Sequence, residues 1–267
     1  MMLTVETFES LAQAASSMTP ESRFLGGGTL VMRGVNYGDQ SFNRIVRVRD
    51  DTIKHIRTES GRIHIGAGAT MADVIATSDL SFLAPVARAV GGPAVRNMAT
   101  VGGNLFAANP YGDFTTALLA LDAIVKMSDG AEHPMEQFLA GRDAQRGLVA
   151  SVSIQRPMGD DFRFLKVSRV KPKGVSVMSI ATWLPRQGGR IANARIAFGA
   201  MGPTPLRAKA SEMALEGVSL DASSVDRAVQ STTQGLSPQD DALASAWYRT
   251  EVAPVHLRRV LLGEGKR

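Results

Sequence analysis

The 267 residues include no cysteine. Disulfides, a thiol nucleophile, cysteine-ligated zinc and an iron–sulfur cluster held by this chain alone are thereby excluded. Any redox chemistry must then run on a bound organic cofactor. Long apolar runs are also missing, and no segment approaches the ~18 consecutive apolar residues of a membrane span. The first residues lack the basic stretch and apolar core of a secretory signal, so the expected location is the cytoplasm. Blocks of like charge are absent too: 30 Lys and Arg against 25 Asp and Glu leave a net +5, with the basic residues scattered. That pattern argues against a nucleic-acid partner. No Gly-x-Ser-x-Gly elbow or P-loop occurs, and His55, His64, His133 and His256 have no metal-like spacing. With 44% hydrophobic and 21% charged residues, what remains is an ordinary globular chain.

Periodicity and turn residues supply a first outline. Phe8, Leu11, Ala12 and Ala15 predict a short N-terminal helix capped by Thr7. Ser22 to Leu25 predict a strand running into Gly26-Gly27-Gly28. Strands are expected at Ile45 to Val48, Arg62 to Ile65, Ile124 to Met127 and Leu148 to Ile154, with a turn at Asp129-Gly130. Thr70 and Asp73 open another helix, and the helical spacing from Leu83 to Val90 stops at Gly91-Gly92-Pro93. A polar loop should then run as far as Asp113, ahead of an apolar helix from Phe114 to Leu121. After Arg156-Pro157, strand patterns at 162–167, 175–184 and 190–198 predict an antiparallel meander with a turn at Gln187-Gly188-Gly189. Helical patterns follow at 208–215, 225–233 and 242–262, the last interrupted by Pro254.

Three glycine clusters invite a ligand. Ile65-Gly66-Ala67-Gly68-Ala69-Thr70-Met71 imitates a dinucleotide fingerprint, but Met71 stands at its third glycine and no acidic residue follows near Pro85 to Val90. A strand-ending turn is the better reading. At Gly26-Gly27-Gly28-Thr29, successive residues without Cβ let backbone N–H groups converge on an anion, although three glycines serve equally well as a flexible turn. Gly102-Gly103 lies between Thr100 and Asn104, so two such loops suit two adjacent phosphates. Asp113 can accept from a ribose or ribityl hydroxyl, cap the following helix, or do both.

Phe24 to Leu30, Ile65-Gly66-Ala67 with Thr70, Gly92-Pro93 through Arg96-Asn97 to Thr100-Val101-Gly102-Gly103-Asn104, and Pro110 to Asp113 together resemble the FAD-binding medium subunit of molybdenum hydroxylases. This is the group of carbon monoxide dehydrogenase and xanthine dehydrogenase. The resemblance extends through Phe164-Leu165-Lys166, Arg169, Trp247-Tyr248-Arg249 and Leu257-Arg258-Arg259. It implies an α+β chain: a two-subdomain FAD-binding fold of the vanillyl-alcohol-oxidase (PCMH) type over 1–157, divided at about 52/53, then an α/β flavoprotein C-terminal domain over 158–267. FAD would be bound non-covalently. Leu25, Gly26, Gly27, Gly28 and Thr29, with Thr100, Val101, Gly102, Gly103 and Asn104, would contact its pyrophosphate through the backbone, and Leu30 would also bind the cofactor. Asp113 would meet the adenosine ribose, and Leu148 and Lys166 would lie near the cofactor.

The same resemblance implies an electron-transfer role with no catalytic acid–base pair on this chain. Partners would be a small [2Fe–2S] subunit and a large molybdenum-cofactor subunit, assembled as a dimer of heterotrimers, with NAD+, oxygen or another acceptor taking the electrons. Two other functions are open to such a sequence: a stand-alone FAD-dependent reductase or oxidase of the same fold, and a nucleotide-binding module without catalysis. The chain departs from the family pattern at Ala99, where Gly is common. It departs again at Lys173 and Gly174, where an acidic and a bulky residue usually stand by the isoalloxazine.

Overall fold

The computed structural model describes residues 3–142, 147–170 and 174–264; Lys173 lies outside the described residues. Two compact units form, one from Met1–Ala107 with Ala123–Ile154, the other from Ala108–Asp122 with Gln155–Arg267. The segment 108–122, which the sequence reading leaves with the N-terminal domain, therefore packs with the C-terminal residues.

In the first unit, β1 (Thr4–Phe8), β2 (Ser22–Phe24) and β3 (Arg44–Val48) make a parallel sheet in the order β1-β3-β2. Helices Leu11–Ser16 and Val31–Asn36 are the crossovers that parallel pairing demands. The central strand is the buried one, with Ile45 and Val46 at 1% and 0% exposure. The first helix starts later than its spacing predicts. Thr7 and Phe8 pair with Arg47 and Val48 in β1, and Ser10 is the cap, its Oγ accepting from the Gln13 N–H at 3.2 Å. Phe8 and Leu11 lie three residues apart, which fits a helix face or a strand followed by a turn; β-branched Thr4, Val5 and Thr7 decide for the strand.

The other sheet of this unit has five strands, β4 (Ile56–Glu59), β5 (Arg62–Gly66), β6 (Ile124–Met127), β7 (Glu132–Pro134) and β8 (Val149–Gln155), in the order β4-β5-β8-β6-β7. Ser60 and Gly61, both at positive φ (51° and 75°), close the β4–β5 hairpin. Helix Met71–Ala76 begins with a reciprocal cap: Thr70 Oγ1 accepts from the Asp73 N–H, and the Asp73 carboxylate accepts from the Thr70 N–H. The expected polar loop contains two short helices. Pro93 opens the turn Pro93–Arg96, where a first-turn proline loses no hydrogen bond, and Thr100 caps Val101–Leu105.

In the second unit, β9 (Phe162–Ser168), β10 (Ser176–Trp183), β11 (Arg186–Gln187), β12 (Arg190–Ile191), β13 (Arg195–Gly199) and β14 (Leu206–Arg207) follow in chain order. Four of them form the antiparallel sheet β14-β13-β10-β9, and β11-β12 is a separate hairpin turning at Gly188 and Gly189. The strand expected over 190–198 is broken at Asn193, which takes φ 59°. Strand alternation sends Met178, Ile180, Ile196 and Phe198 into a core with Ala253, Leu257 and Leu261. The opposite face of β10 and β13 receives helix Asp113–Ala120. Helix Ala246–Leu262 runs through Pro254 without breaking. Arg249 on that helix is fully buried, donating to the carbonyls of Val177, Gln239 and Ala244 and to Asp241 Oδ2 at 2.6–2.9 Å.

Candidate cofactor site

Each glycine after β2 answers a different demand. The Leu25 N–H makes the last sheet bond, to the Val46 carbonyl at 2.7 Å, and the chain then leaves the sheet. A Cβ on Gly27 would lie 1.5 Å from the Met98 carbonyl oxygen, and one on Gly26 would lie 2.8 Å from Thr100 Oγ1. Gly28 sits at φ +72°, a left-handed conformation that costs glycine nothing. The loop is thus pressed against residues 98–100. Among the described residues, the N–H groups of Gly26, Gly27, Gly28 and Thr29 find no acceptor. Four consecutive unengaged donors on a partly covered loop make a candidate anion nest, since such groups seek an acceptor.

The Thr100 block closes the nest but is built differently. The amides of Val101 to Asn104 are already engaged: Val101 donates to the Ala69 carbonyl and Gly102 to that of Ala67, both at 2.8 Å, Gly103 to Thr100 Oγ1 at 3.1 Å, and Asn104 to the Thr100 carbonyl at 3.0 Å. Gly102 is needed for close packing, because its Cβ would lie 2.8 Å from that of Ala67. This differs from the expectation that both loops offer backbone donors. What Thr100 turns toward Gly26 is its hydroxyl. The Gly66 cluster behaves as a strand-ending turn, with the Gly66, Ala67 and Gly68 amides bonded to the carbonyls of His55, Ala150 and Ile53.

The remaining expected site residues fall in two places. Leu148 is a core residue of the first unit, 7% exposed, packed with Leu11, Ala14, Val46 and Phe24. Asp113 and Lys166 meet in the second unit, Asp113 Oδ2 lying 2.9 Å from Lys166 Nζ with both side chains largely buried. Asp113 is the first residue of its helix, not the cap; Gly112, at φ 111°, takes that position. Sequence reasoning missed Ser176, whose Oγ donates to Asp113 Oδ1 at 2.6 Å while only 1% exposed. No sequence signal pointed to it, because its aim depends on an irregularity in strand pairing.

The family model for the FAD binding domain in molybdopterin dehydrogenase matches residues 2–156, and that for the CO dehydrogenase flavoprotein C-terminal domain matches residues 163–263. The chain belongs to the FAD-binding family of molybdopterin dehydrogenases. It is 27% identical to the carbon monoxide dehydrogenase medium chain of Afipia carboxidovorans, over 95% of this chain and 93% of that one. It is 24% identical to the xanthine dehydrogenase FAD-binding subunit of Escherichia coli O157:H7, over 91% and 88%. The fold is that of carbon monoxide dehydrogenase from Hydrogenophaga pseudoflava, with a TM-score of 0.88 at 22% identity, over 97% of this chain and 96% of the other.

Membership makes this an FAD-binding oxidoreductase chain of α+β fold, and the nest fits that cofactor. A pyrophosphate presents several charged oxygens, and unengaged N–H dipoles can satisfy them without a lysine. A Cβ at Gly26 or Gly27 would fill the space that brings the loop onto residues 98–100. No helix among the described residues is long and apolar enough to cross a membrane.

Proposed function

We propose that this chain is the electron-transfer subunit that carries FAD in a molybdenum hydroxylase complex of the cytoplasm. Residues 1–157 act as the PCMH-type FAD-binding domain and 158–267 as the flavoprotein C-terminal domain. The Gly26 to Thr29 amides hold the pyrophosphate non-covalently. Leu25, Leu30 and the Thr100 to Asn104 block shape the loop around it, Leu148 supports it from the core, and Asp113 with Lys166 meets the sugar and flavin portions. When bound, FAD supplies the capacity to take up and release electrons between iron–sulfur clusters and NAD+, oxygen or another acceptor.

The observation that carries this reading is the run of four amides, unengaged among the described residues, on a loop whose Gly26 and Gly27 are held against residues 98–100. The lack of cysteine supports the division of labour, since the [2Fe–2S] clusters then belong to a small partner subunit. Relatives named as a medium chain and an FAD-binding subunit support a larger assembly; its further member in this reading is a large molybdenum-cofactor subunit, and its arrangement a dimer of heterotrimers. The test is the visible spectrum of the purified chain, chromatography of the released cofactor, and copurification with iron–sulfur and molybdenum subunits. One equivalent of FAD and two copurifying subunits are expected. A colourless protein that takes up no added FAD overturns the flavoprotein reading, and a yellow protein that stays alone overturns the relay.

A further inference from the structure

Asp113 is held by three elements at once. It opens its own helix behind the cap Gly112, Lys166 reaches it from β9, and Ser176 reaches it from the first position of β10. The contact at Ser176 depends on a break in register. Ser176 pairs with Ser168 and Ser179 with Lys166, with a bulge between Ser176 and Met178. In a regular strand, residues three apart point to opposite faces; the extra residue of the bulge turns both serines to the same side. There they meet helix Asp113–Ala120 at matching spacing: Ser176 Oγ donates to Asp113 Oδ1 at 2.6 Å, and Ser179 Oγ to Thr116 Oγ1 at 3.3 Å. Asp113 and Thr116 are themselves three residues apart, on one helix face.

A carboxylate has about four acceptor directions. With Lys166 on one oxygen and Ser176 on the other, the carboxylate cannot rotate, and the directions left over are defined. We propose that Ser176 is a positioning residue for FAD: its hydroxyl fixes the Asp113 carboxylate so that the unused acceptor directions face the cofactor's hydroxyl groups. This rests on the reading that Asp113 contacts FAD. Without the Ser176 hydroxyl, Lys166 alone orients the carboxylate, and the orientation must be selected again on binding.

The test uses the full chain with flavin removed, and reads FAD affinity by fluorescence titration together with the melting temperature of the flavin-free protein. Ser176→Ala and Asp113→Asn should each weaken FAD binding about tenfold, the effect of losing one well-placed hydrogen bond to a charged group. The double variant should bind about as weakly as Asp113→Asn alone, because both changes act through one carboxylate. Ser176→Thr and Ser176→Val have the same shape and differ in the hydroxyl, so Thr should bind about tenfold more tightly than Val even where both lower the melting temperature. Equal affinity of Thr and Val variants, or independent effects in the double variant, overturns the proposal. Unchanged FAD affinity in Asp113→Asn instead overturns the assignment of Asp113 to the cofactor.

Discussion

Gly27 shows how a single missing carbon can decide a site. Its Cα faces the Met98 carbonyl so closely that any Cβ would fall 1.5 Å from that oxygen, and backbone cannot swing aside as a side chain can. Gly27→Ala therefore has to move the loop off residues 98–100. The expected cost is about 2–4 kcal/mol, the range of severe overpacking, with loss of bound FAD because the nest opens. A thermal melt and a flavin-to-protein absorbance ratio check both. The neighbouring Gly28 matters for a different reason, its positive φ, so the three glycines are not interchangeable although the sequence writes them alike.

At the scale of elements, the contact between helix Asp113–Ala120 and the antiparallel sheet is set by small residues. A Cβ at Gly199 of β13 would lie 2.4 Å from both Ser179 Oγ and Thr116 Oγ1. Gly199→Val should lift the helix from β10 and β13 and lower stability by about 2–3 kcal/mol, measured by denaturant titration, since the neighbouring hydroxyls can rotate only partly out of the way. The end of this segment is tied down as well, with Asp122 Oδ2 accepting from Arg195 Nε at 2.7 Å. Pro254 illustrates the reverse case. Proline predicts a helix break, yet its helix is held by the fully buried Arg249 and by the core contacts of Ala253 and Leu257, and tertiary packing outweighs the local penalty.

For the molecule as a whole, stability should depend on pH through a partly buried histidine. Burial, with the nearby Arg259 guanidinium adding to it, holds the His256 imidazole below its ordinary value, and its buried Nδ1 has no hydrogen-bond partner among the described residues. The unfolded chain then binds more protons than the folded one below about pH 6.5, so this contribution is complete above that value and is lost as pH falls. His256→Gln should flatten the melting temperature profile between about pH 7 and 5; parallel profiles for the two proteins would remove His256 from this role. At lower pH, Asp241 adds a second loss. Burial raises its carboxyl, but the Leu243 and Ala244 amides and the Arg249 guanidinium together hold it below the usual value, so its contribution disappears as it becomes protonated.

Much of this architecture is legible in the residue order, because local rules govern it. The turn at Gln187-Gly188-Gly189, the cap at Thr70 and Asp73, and the strands from Ile124 and Phe162 follow from backbone freedom and alternation, which are properties of neighbouring residues. The lack of cysteine settles by itself that this chain holds no iron–sulfur cluster. The residue order over 2–156 also carries the family, and with it FAD. Which amides remain open is another matter. Gly26 to Thr29 and Thr100 to Asn104 look equivalent in sequence, but Ala67 and Ala69 supply acceptors to the second set alone, from a turn some thirty residues earlier in the chain. Asp113 likewise joins Lys166 and Ser176 across more than fifty residues, through a bulge that no local pattern encodes. Sequence sets what each backbone position can adopt; only the fold decides which donors and acceptors find each other, because hydrogen-bond partners are assigned by distance in space and not along the chain.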